Sequence, residues 1–471
     1  MEDGFTIKQK EFRLTRYGAG TLRELWSISW PLMLASFSGS FITFIDRAVL
    51  ARYQSEAFDA CSAAQPWFWT FEGILMSFIV CTEILIGRFN GAQQYKKMGP
   101  AVWQMVLISF LSFSFLIPIA LNAHYLLANN IEALGLPYLQ LLLLTLPFEM
   151  AAFGAIGAFF VGRGDTKKIP MVLITVNVIN GIGDIWLVFG GLGVPAMGII
   201  GAALATNLSH ICSFIIFLAL FLRRKYKEKY AINTFHWSWD FLRQCIHIGM
   251  PNAISAGTFM VGWSLCYQFL ALELPLHMYK AYCIAFTIYN FMFFVMDGMG
   301  KGVGTLCSNF LGAQVPQNLG KVLKQSLRLT CIFSLLFIAL LAFSDPVVRF
   351  LAPASFMQDH LFCHQINLFL YWYGGLFVLE TLCFCAQYFL FSLMKAKIVL
   401  VVNIFSFWGI QLIPTYILIS YFHWNPIIYL QLSCLEHALL LVIFYLWYRR
   451  KTWLTGWENV RSILDKNRFL R

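Results

Sequence analysis

Asn177, Asn180 and Asp184 lie in the stretch NVINGIGD and are polar residues in strongly apolar surroundings. The flanking sequences are MVLIT and IWLVFG, so the carboxylate lies within an apolar helix, where its charge is costly unless something neutralises it. The spacing i, i+3 and i+7 places the three residues on one helix face. Carboxylate and amide oxygens on such a face could hold a proton or a Na⁺ ion, since hard cations prefer oxygen ligands.

Asp46 and Thr206 lie at a similar depth in other apolar segments. At the helical rise, Asp184 lies roughly 24 Å from Lys168 and Asp46 roughly 31 Å from Leu25. Thr206 lies about two turns into its own segment. These side chains can therefore converge, and two carboxylates in a low dielectric are neutralised most cheaply by a bound proton or cation. The alternative is that they only form hydrogen bonds between helices.

The composition is that of a membrane protein. Hydrophobic residues make up 59% of the chain and charged residues 12%, which is about half the charged fraction of a soluble domain. The net charge of +11 lies mainly in short connectors, which indicates membrane topology rather than a nucleic-acid surface. The sequence GMGKGVG, beginning at Gly298, lacks the spacing and the Ser/Thr of a phosphate-binding loop. The nine His are scattered and the 12 Cys show no CxxC spacing, so an enzyme is not expected.

Twelve apolar segments are long enough to span a bilayer. Their predicted ranges are 25–51, 62–87, 101–122, 138–161, 169–190, 197–222, 244–271, 281–311, 329–351, 363–391, 398–421 and 427–448. With the N-terminus inside, the inner connectors carry 17 Lys and Arg, whereas the outer connectors and the adjoining span ends carry three. This asymmetry predicts that both termini are cytoplasmic. We expect no cleavable signal peptide and a multi-pass protein of the plasma membrane (the inner membrane of a bacterium).

The chain contains an internal repeat. LRELWSISWP at 22–31 aligns with LRQCIHIGMP at 242–251, and RFNGAQQ at 88–94 aligns with NFLGAQV at 309–315. Two six-span halves are typical of secondary transporters, in which the substrate path lies between the halves. The predicted organisation is a cytoplasmic tail (1–24), an N-lobe (25–222), a basic cytoplasmic linker (223–243), a C-lobe (244–449) and a second cytoplasmic tail (450–471).

Four stretches of the first half carry a family resemblance. They are LWSISWPLM with FITFIDRAVLARY in span 1, IGRFNGAQQYKKMG after span 2, GRGDTKKIPMVLITVNVINGIGDIWLVFG through span 5, and GIIGAALATNLSH in span 6. With these stretches the chain resembles the multidrug and toxic compound extrusion family. The resemblance covers almost the whole chain and implies an all-α membrane fold of 12 helices in two pseudo-symmetric six-helix lobes.

The resemblance also implies a function. It implies a secondary active antiporter that exports organic, cationic or amphipathic compounds in exchange for H⁺ or Na⁺ by alternating access. It places cation coupling in the N-lobe, with Asp46, Asn180, Asp184 and Thr206 as the residues that bind H⁺ or Na⁺. It further implies a monomer that handles drugs or metabolites, without a permanent metal or cofactor. The alternative is export of a lipid-linked precursor or metabolite, by relatives that usually have more spans or a cationic cavity.

The C-lobe lacks acids where the N-lobe has them. Cys266 is the repeat partner of Asp46, and Ile410 is that of Asp184, so coupling is expected in the N-lobe. Glu380 in span 10 has two interpretations. It is either a second carboxylate for a cation or substrate, or a buried acid satisfied by its neighbours.

Other buried polar residues also have alternatives. Asp297 and Lys301 are spaced i, i+4 and are expected to form a neutralised structural pair. Asp297 and Glu380 are expected to be the only deep acids of the C-lobe. Asn177 and Glu72 are possible accessory residues of the cation site; Glu72 could instead only bond to a neighbouring helix.

Overall fold

The computed structural model describes residues 12–127, 129–191, 193–342, 348 and 360–450. Within these ranges the protein is helical, and its one β-type contact is an isolated bridge between Gly191 and Val194. Ten segments of this described part of the chain are long and apolar enough to cross a membrane. The other two predicted spans are long helices of 32 and 35 residues, so the all-α, twelve-span prediction is confirmed. Residues 1–11 and 451–471, within the two predicted tails, lie outside the described residues.

Each of the six N-lobe spans is either one continuous helix or a series of shorter helices. They are α1 (Leu22–Tyr53), α2 (Ser55–Ile79), α3 (Cys81–Gly91), α4 (Met98–Leu111), α5 (Phe113–Leu121), α6 (Asn129–Leu143), α7 (Leu146–Glu149), α8 (Ala158–Gly162), α9 (Lys168–Phe189) and α10 (Gly198–Phe221). A π-helix, Met150–Gly157, joins α7 to α8. The hydroxyl of Thr21 caps α1 by accepting from the Glu24 N–H. Gly190, at φ 78°, ends α9 in a conformation that favours glycine.

The linker and the C-lobe follow. Their helices are α11 (Arg224–Lys227) in the linker, then α12 (Trp239–Glu273), α13 (Leu276–Phe291), α14 (Phe293–Gly312), α15 (Leu319–Ala342), α16 (His360–Ser392), α17 (Ala396–Ser406), α18 (Ile413–Ser420) and α19 (Ile428–Arg449). A second π-helix, Phe407–Leu412, joins α17 to α18. Helix α15 begins ten residues before the predicted start of span 9 at 329. Its first turns carry Lys321, Lys324 and Arg328, and a hydropathy pattern detects only the apolar part of such a helix.

The linker packs against one end of the N-lobe. The Gly99 N–H donates to the Tyr230 carbonyl at 3.0 Å, and the Trp103 indole N–H donates to the Ile232 carbonyl at 2.7 Å. The guanidinium of Arg163 lies 4.7 Å from the ring centroid of Tyr226 and 4.6 Å from that of Tyr230. Below, the end of the bundle that holds the linker is called the linker side, and the opposite end the far side.

The positive charges around Tyr226 change its acidity. Burial raises the pKa of Tyr226, but hydrogen bonds to Lys168 and Lys225 outweigh burial and bring it down to about 8. The Lys168 ammonium donates to the Tyr226 hydroxyl at 2.9 Å, which ties the linker to the start of α9. The basic linker is therefore anchored to the N-lobe by its aromatic residues.

The two lobes meet at the repeated glycines on the linker side. A Cβ on Gly91 would collide with the carbonyl oxygen of Asn309, and a Cβ on Gly312 would collide with that of Arg88. The repeat offset of 221 relates Gly91 to Gly312 and Arg88 to Asn309. The two contacts are therefore one contact made twice, related by the pseudo-symmetry of the lobes.

Polar bonds between the lobes surround the glycine contacts. The buried guanidinium of Arg88 donates to the Ser392 carbonyl at the end of α16. The Asn90 amide donates to the Asn309 side-chain oxygen at 2.7 Å, and the Asn309 amide donates to the Gly162 carbonyl at 2.7 Å. These bonds tie α3 and α8 of the N-lobe to α14 and α16 of the C-lobe. The lobes are closed against each other on the linker side.

Helix α1 belongs to the N-lobe but also packs along α14 of the C-lobe. The Ser36 hydroxyl donates to the Asp297 carboxylate at 2.5 Å. Gly298 packs against Met33, and Gly302 packs against Ser29. On its other side α1 packs against α9, so one helix connects the interior of the N-lobe to the C-lobe.

We expect Gly312→Ala to destabilise the linker-side closure. Its Cβ would meet the rigid Arg88 carbonyl, and such overpacking costs about 1–3 kcal/mol. The matched control is Gly375→Ala in α16, where nothing lies within 4 Å of an added Cβ. Thermal unfolding of the purified protein in detergent should show a lower midpoint for Gly312→Ala and an unchanged or higher one for Gly375→Ala. Equal midpoints would contradict the closure described above.

Candidate cation site

The four predicted cation residues come together in the N-lobe. They lie on three helices: Asp46 on α1, Asn180 and Asp184 on α9, and Thr206 on α10. The Asn180 amide donates to the Thr206 hydroxyl at 3.4 Å, and the Thr206 hydroxyl donates to the Asp46 carboxylate at 3.5 Å. Asn180 and Asp184 are fully buried, and the other two are nearly so. The predicted convergence is confirmed, whereas the role of the four residues stays a prediction.

The carboxyl groups of Asp46 and Asp184 face each other and interact directly. Neither carboxyl oxygen of Asp184, nor the side-chain oxygen of Asn180, has hydrogen-bond geometry to another described residue. Three acceptor oxygens, one turn apart on α9, are thus buried in a place where an unsatisfied polar atom is costly. A proton or a Na⁺ ion bound between the two acids would satisfy them, and the oxygen-only donor set suits either.

The glycines of NVINGIGD let α9 approach α10 closely. A Cβ on Gly183 would lie 3.1 Å from the Cβ of Ala205, the neighbour of Thr206. From the other helix, Gly201 packs on the backbone of Leu187. A larger residue at either glycine would push α10 away, and Thr206 with it. Small residues at this crossing therefore position the site, as is common for helices packed within membranes.

Asn177 has a positioning role rather than a direct one. Its amide donates to the Ser38 carbonyl at 2.7 Å and to the Ser38 hydroxyl at 2.5 Å. These bonds join α9 to α1 about two turns from Asp184, towards the linker side. They hold the helix that carries Asp46 against the helix that carries Asp184. Asn177 shares the face of Asn180 and Asp184 but binds a neighbouring helix.

Tyr138 on α6 was missed from the sequence. It is 1% exposed, its hydroxyl accepts from the Cys61 thiol at 3.4 Å, and it lies within electrostatic reach of Asp46 and Asp184. A tyrosine in an apolar run carries no positional signal in one sequence, because aromatic residues are common in spans. The structure adds it to the wall of the site.

Glu72, the second possible accessory residue, lies in a different cluster. Its carboxyl group interacts with Glu149 and His210, and no hydrogen bond joins it to the four cation residues in the described part of the chain. The predicted pair of Asp297 and Lys301 is confirmed at 2.7 Å. It lies where the lobes meet, close to Glu83 of α3, which accepts from the Thr305 hydroxyl at 3.0 Å.

The expectation for the acids of the C-lobe was wrong in one respect. Glu436 on α19 is 3% exposed, accepts from the Ser406 hydroxyl at 3.0 Å and lies near Glu380. The C-lobe therefore has a third deep acid besides Asp297 and Glu380. The signal was present as a lone Glu in the apolar run of span 12. Glu380 is neighboured by an acid, and this leaves both of its predicted roles open.

An apolar cavity of about 760 Å³ lies between the lobes. The N-lobe contributes Ile74 and Phe78 of α2 to its wall, and the C-lobe contributes Met250 and Ile254 of α12 and Trp408. None of the four cation residues lines this cavity. The open apolar cavity and the polar cation site are thus separate places in the same protein.

Comparison with known proteins gives a consistent result. The MatE family model matches residues 31–186 and 253–417, more than half of the chain. A probable multidrug resistance protein NorM from Thermotoga maritima is 24% identical over 336 residues, covering 69% of this chain and 71% of that protein. A probable multidrug resistance protein NorM from Synechocystis is 24% identical over 410 residues, covering 84% and 87%.

Solved structures agree in fold. The outward-facing conformation of a multidrug resistance MATE family transporter of the MOP superfamily superposes with a TM-score of 0.81 at 17% identity, covering 97% of this chain and 99% of that one. A eukaryotic MATE transporter superposes with a TM-score of 0.80 at 15% identity, covering 94% and 98%. At these identities the structural likeness establishes the fold.

We expect Asn177→Ala to loosen the contact between α9 and α1. The substitution removes both bonds to Ser38, and a hydrogen bond between membrane helices contributes about 0.6–2 kcal/mol. Ser38→Ala is the matched comparison, because the backbone carbonyl of residue 38 would still accept. Thermal unfolding in detergent should rank the midpoints as wild type, then Ser38→Ala, then Asn177→Ala. An unchanged midpoint for Asn177→Ala would show that these bonds do not hold the two helices together.

Proposed function

This chain belongs to the MatE family of multidrug efflux transporters, and we propose that it is a secondary active antiporter. It exports organic, cationic or amphipathic compounds in exchange for H⁺ or Na⁺ by alternating access. We place it in the plasma membrane with its linker side and both termini in the cytoplasm, as its distribution of Lys and Arg predicts. The observation that carries the proposal is the buried pair of Asp46 and Asp184, with Asn180 and Thr206 beside it.

The electrostatics of the pair support cation binding. Two carboxylates that face each other away from water repel strongly, and one bound positive charge relieves most of that repulsion. The oxygens of Asn180 and Thr206 add neutral ligands without adding charge. The pair therefore has two states, occupied and unoccupied, that differ in charge and in the packing that each favours.

Helix α1 supplies the connection between the pair and the rest of the protein. It carries Asp46 in its far half and contacts α14 of the C-lobe through Ser36 and Met33. A change in packing around Asp46 can therefore alter how the lobes meet. Antiport requires that the cation and the substrate favour different arrangements of the lobes, so that each weakens the binding of the other.

The shape of the inter-lobe space supports the substrate class. The closed linker side is what a state open to the far side requires, and in our proposal the far side is the outer side of the membrane. The apolar wall of the cavity between the lobes suits the hydrocarbon part of an amphipathic compound.

We expect Asp184→Asn to abolish coupled export while the protein still inserts and folds. The amide cannot ionise, so one of the two carboxylates is lost, and with it the mutual repulsion that favours cation binding at the pair. Coupling energies of 1–3 kcal/mol imply that gradient-driven efflux should fall by about tenfold or more. The measurement uses liposomes loaded with ethidium, first under a pH gradient and then under a Na⁺ gradient. The matched control is Asp240→Asn, an exposed Asp on α12 that should leave efflux unchanged.

The two gradients separate the possible outcomes. Efflux driven by one gradient and lost in Asp184→Asn identifies the coupling ion and the site together. Wild-type efflux that survives in Asp184→Asn would refute the coupling site. If neither gradient moves ethidium in the wild type, the proposed substrate class is wrong, and lipid-linked precursors and metabolites form the next panel.

A further inference from the structure

A second acidic cluster lies in the N-lobe apart from the four cation residues. It consists of Glu72 on α2, Glu149 at the end of α7 and His210 on α10. The carboxyl groups of Glu72 and Glu149 lie against each other and interact directly. The Nδ1 atom of His210 lies 3.4 Å from the Oε2 atom of Glu149. Three ionisable side chains from three helices thus meet at one point.

The cluster is one helical turn from the first site. His210 follows Thr206 by four residues on α10, so it lies roughly 6 Å nearer the linker side on the same helix face. His210 also lies within electrostatic reach of Asp46. In the described part of the chain, the ionisable groups that act on the three residues are the three themselves and Asp46. The two acidic pairs are therefore separate but connected through His210.

The surroundings of the cluster are apolar. Phe148 precedes Glu149 and stacks edge-on with Phe110 and with Phe214, one turn beyond His210. The side chains of Glu149 and His210 are 12% and 17% exposed. Two ionised carboxylates in such a place would be costly, and neither a Lys nor an Arg neutralises them in the described residues.

The contact between the carboxyl groups itself requires a proton. An ionised carboxylate is only an acceptor, so two carboxyl groups in contact repel each other unless one of them is protonated and can donate to the other. The neighbouring imidazole is a second acceptor for that proton and favours a proton over Na⁺, which prefers oxygen ligands. Among the described residues no group of His, Cys, Asp and Glu has the arrangement of a metal site.

The backbone at Glu149 departs from regular helix. Glu149 is the last residue of α7, and the π-helix begins at Met150. Single π-helical turns inside helices often mark functional sites, because they change the direction of the side chains around them. Here the wider turn follows the residue that both Glu72 and His210 contact.

We propose that Glu72, Glu149 and His210 form a second proton-binding site of the N-lobe. One proton is shared by the two glutamates, and His210 links this site to the pair of Asp46 and Asp184. In a transport cycle each carboxyl pair takes up a proton from the far side and releases it on the linker side, so two protons move for each pass. The statement about transport depends on the proposed antiport, whereas the proton site itself does not.

The proton site is tested without transport. Infrared difference spectra of the full-length protein in detergent, recorded across pH, report the protonated-carboxyl signal. We expect Asp184→Asn to remove one part of that signal, and Glu149→Gln and Glu72→Gln each to remove a different part. The matched control is Glu228→Gln, an exposed glutamate of the linker, which should remove neither part.

Two infrared results would overturn the proposal. One is a signal that is the same in Glu149→Gln, Glu72→Gln and Glu228→Gln; the other is complete loss of the signal in Asp184→Asn. Because Glu72→Gln tests the same pair from α2, a folding defect in Glu149→Gln leaves the test intact.

The transport part is tested by stoichiometry in proteoliposomes. The pH gradient that balances an opposing ethidium gradient gives the number of protons exchanged for each ethidium. We expect a change from about two in the wild type to about one in Glu149→Gln and Glu72→Gln. His210→Gln, which cannot be protonated, should shift the pH dependence of efflux without losing the infrared signal of the glutamates. A wild-type value of one alongside two infrared signals would keep the proton site and reject its part in transport.

Discussion

The internal arrangement of this protein depends on one constraint: an acid buried between membrane helices needs a partner, and for most of the buried acids here that partner lies on another helix. Asp184 of α9 faces Asp46 of α1, and Glu149 of α7 meets Glu72 of α2. Glu436 accepts a hydrogen bond from a hydroxyl of α17. Each of these contacts fixes a helix pair as well as a side chain. Polar chemistry and helix packing are therefore the same interactions, and a change of charge at any one of these sites is also a change in packing.

The two lobes share a fold but use it differently. The N-lobe holds two acidic pairs, whereas the C-lobe has Cys266 and Ile410 at the repeated positions and instead places Glu380 near Glu436. At the lobe boundary the acid of Asp297 is neutralised by Lys301 from its own helix. The repeat thus preserves the glycines and helix crossings that shape the bundle, while the ionisable residues have diverged.

The sequence predicted most of the first site and little of the second cluster. Depth along a helix follows from counting residues at a fixed rise, so Asp46, Asp184 and Thr206 could be placed at one level. The direction of a side chain around the axis depends on which neighbour packs there, which a single sequence does not contain. Glu72 and His210 are far apart in the chain, and only the packing of α10 against α2 and α7 brings them together. Asn177 lies on the predicted helix face, but its amide is hydrogen-bonded to Ser38 of α1 and to none of the four cation residues.

The paired contact of Gly91 and Gly312 has a consequence for how this chain can change over generations. Each glycine touches the backbone of the opposite repeat and not a side chain. A larger residue on one side therefore cannot be accommodated by a smaller one on the other, since a carbonyl oxygen cannot be made smaller. In most contacts between duplicated halves both residues can be substituted, as long as the two substitutions compensate each other. The contact of Gly91 and Gly312 has no such freedom, so the two halves stay recognisable as copies of each other at the place where they touch.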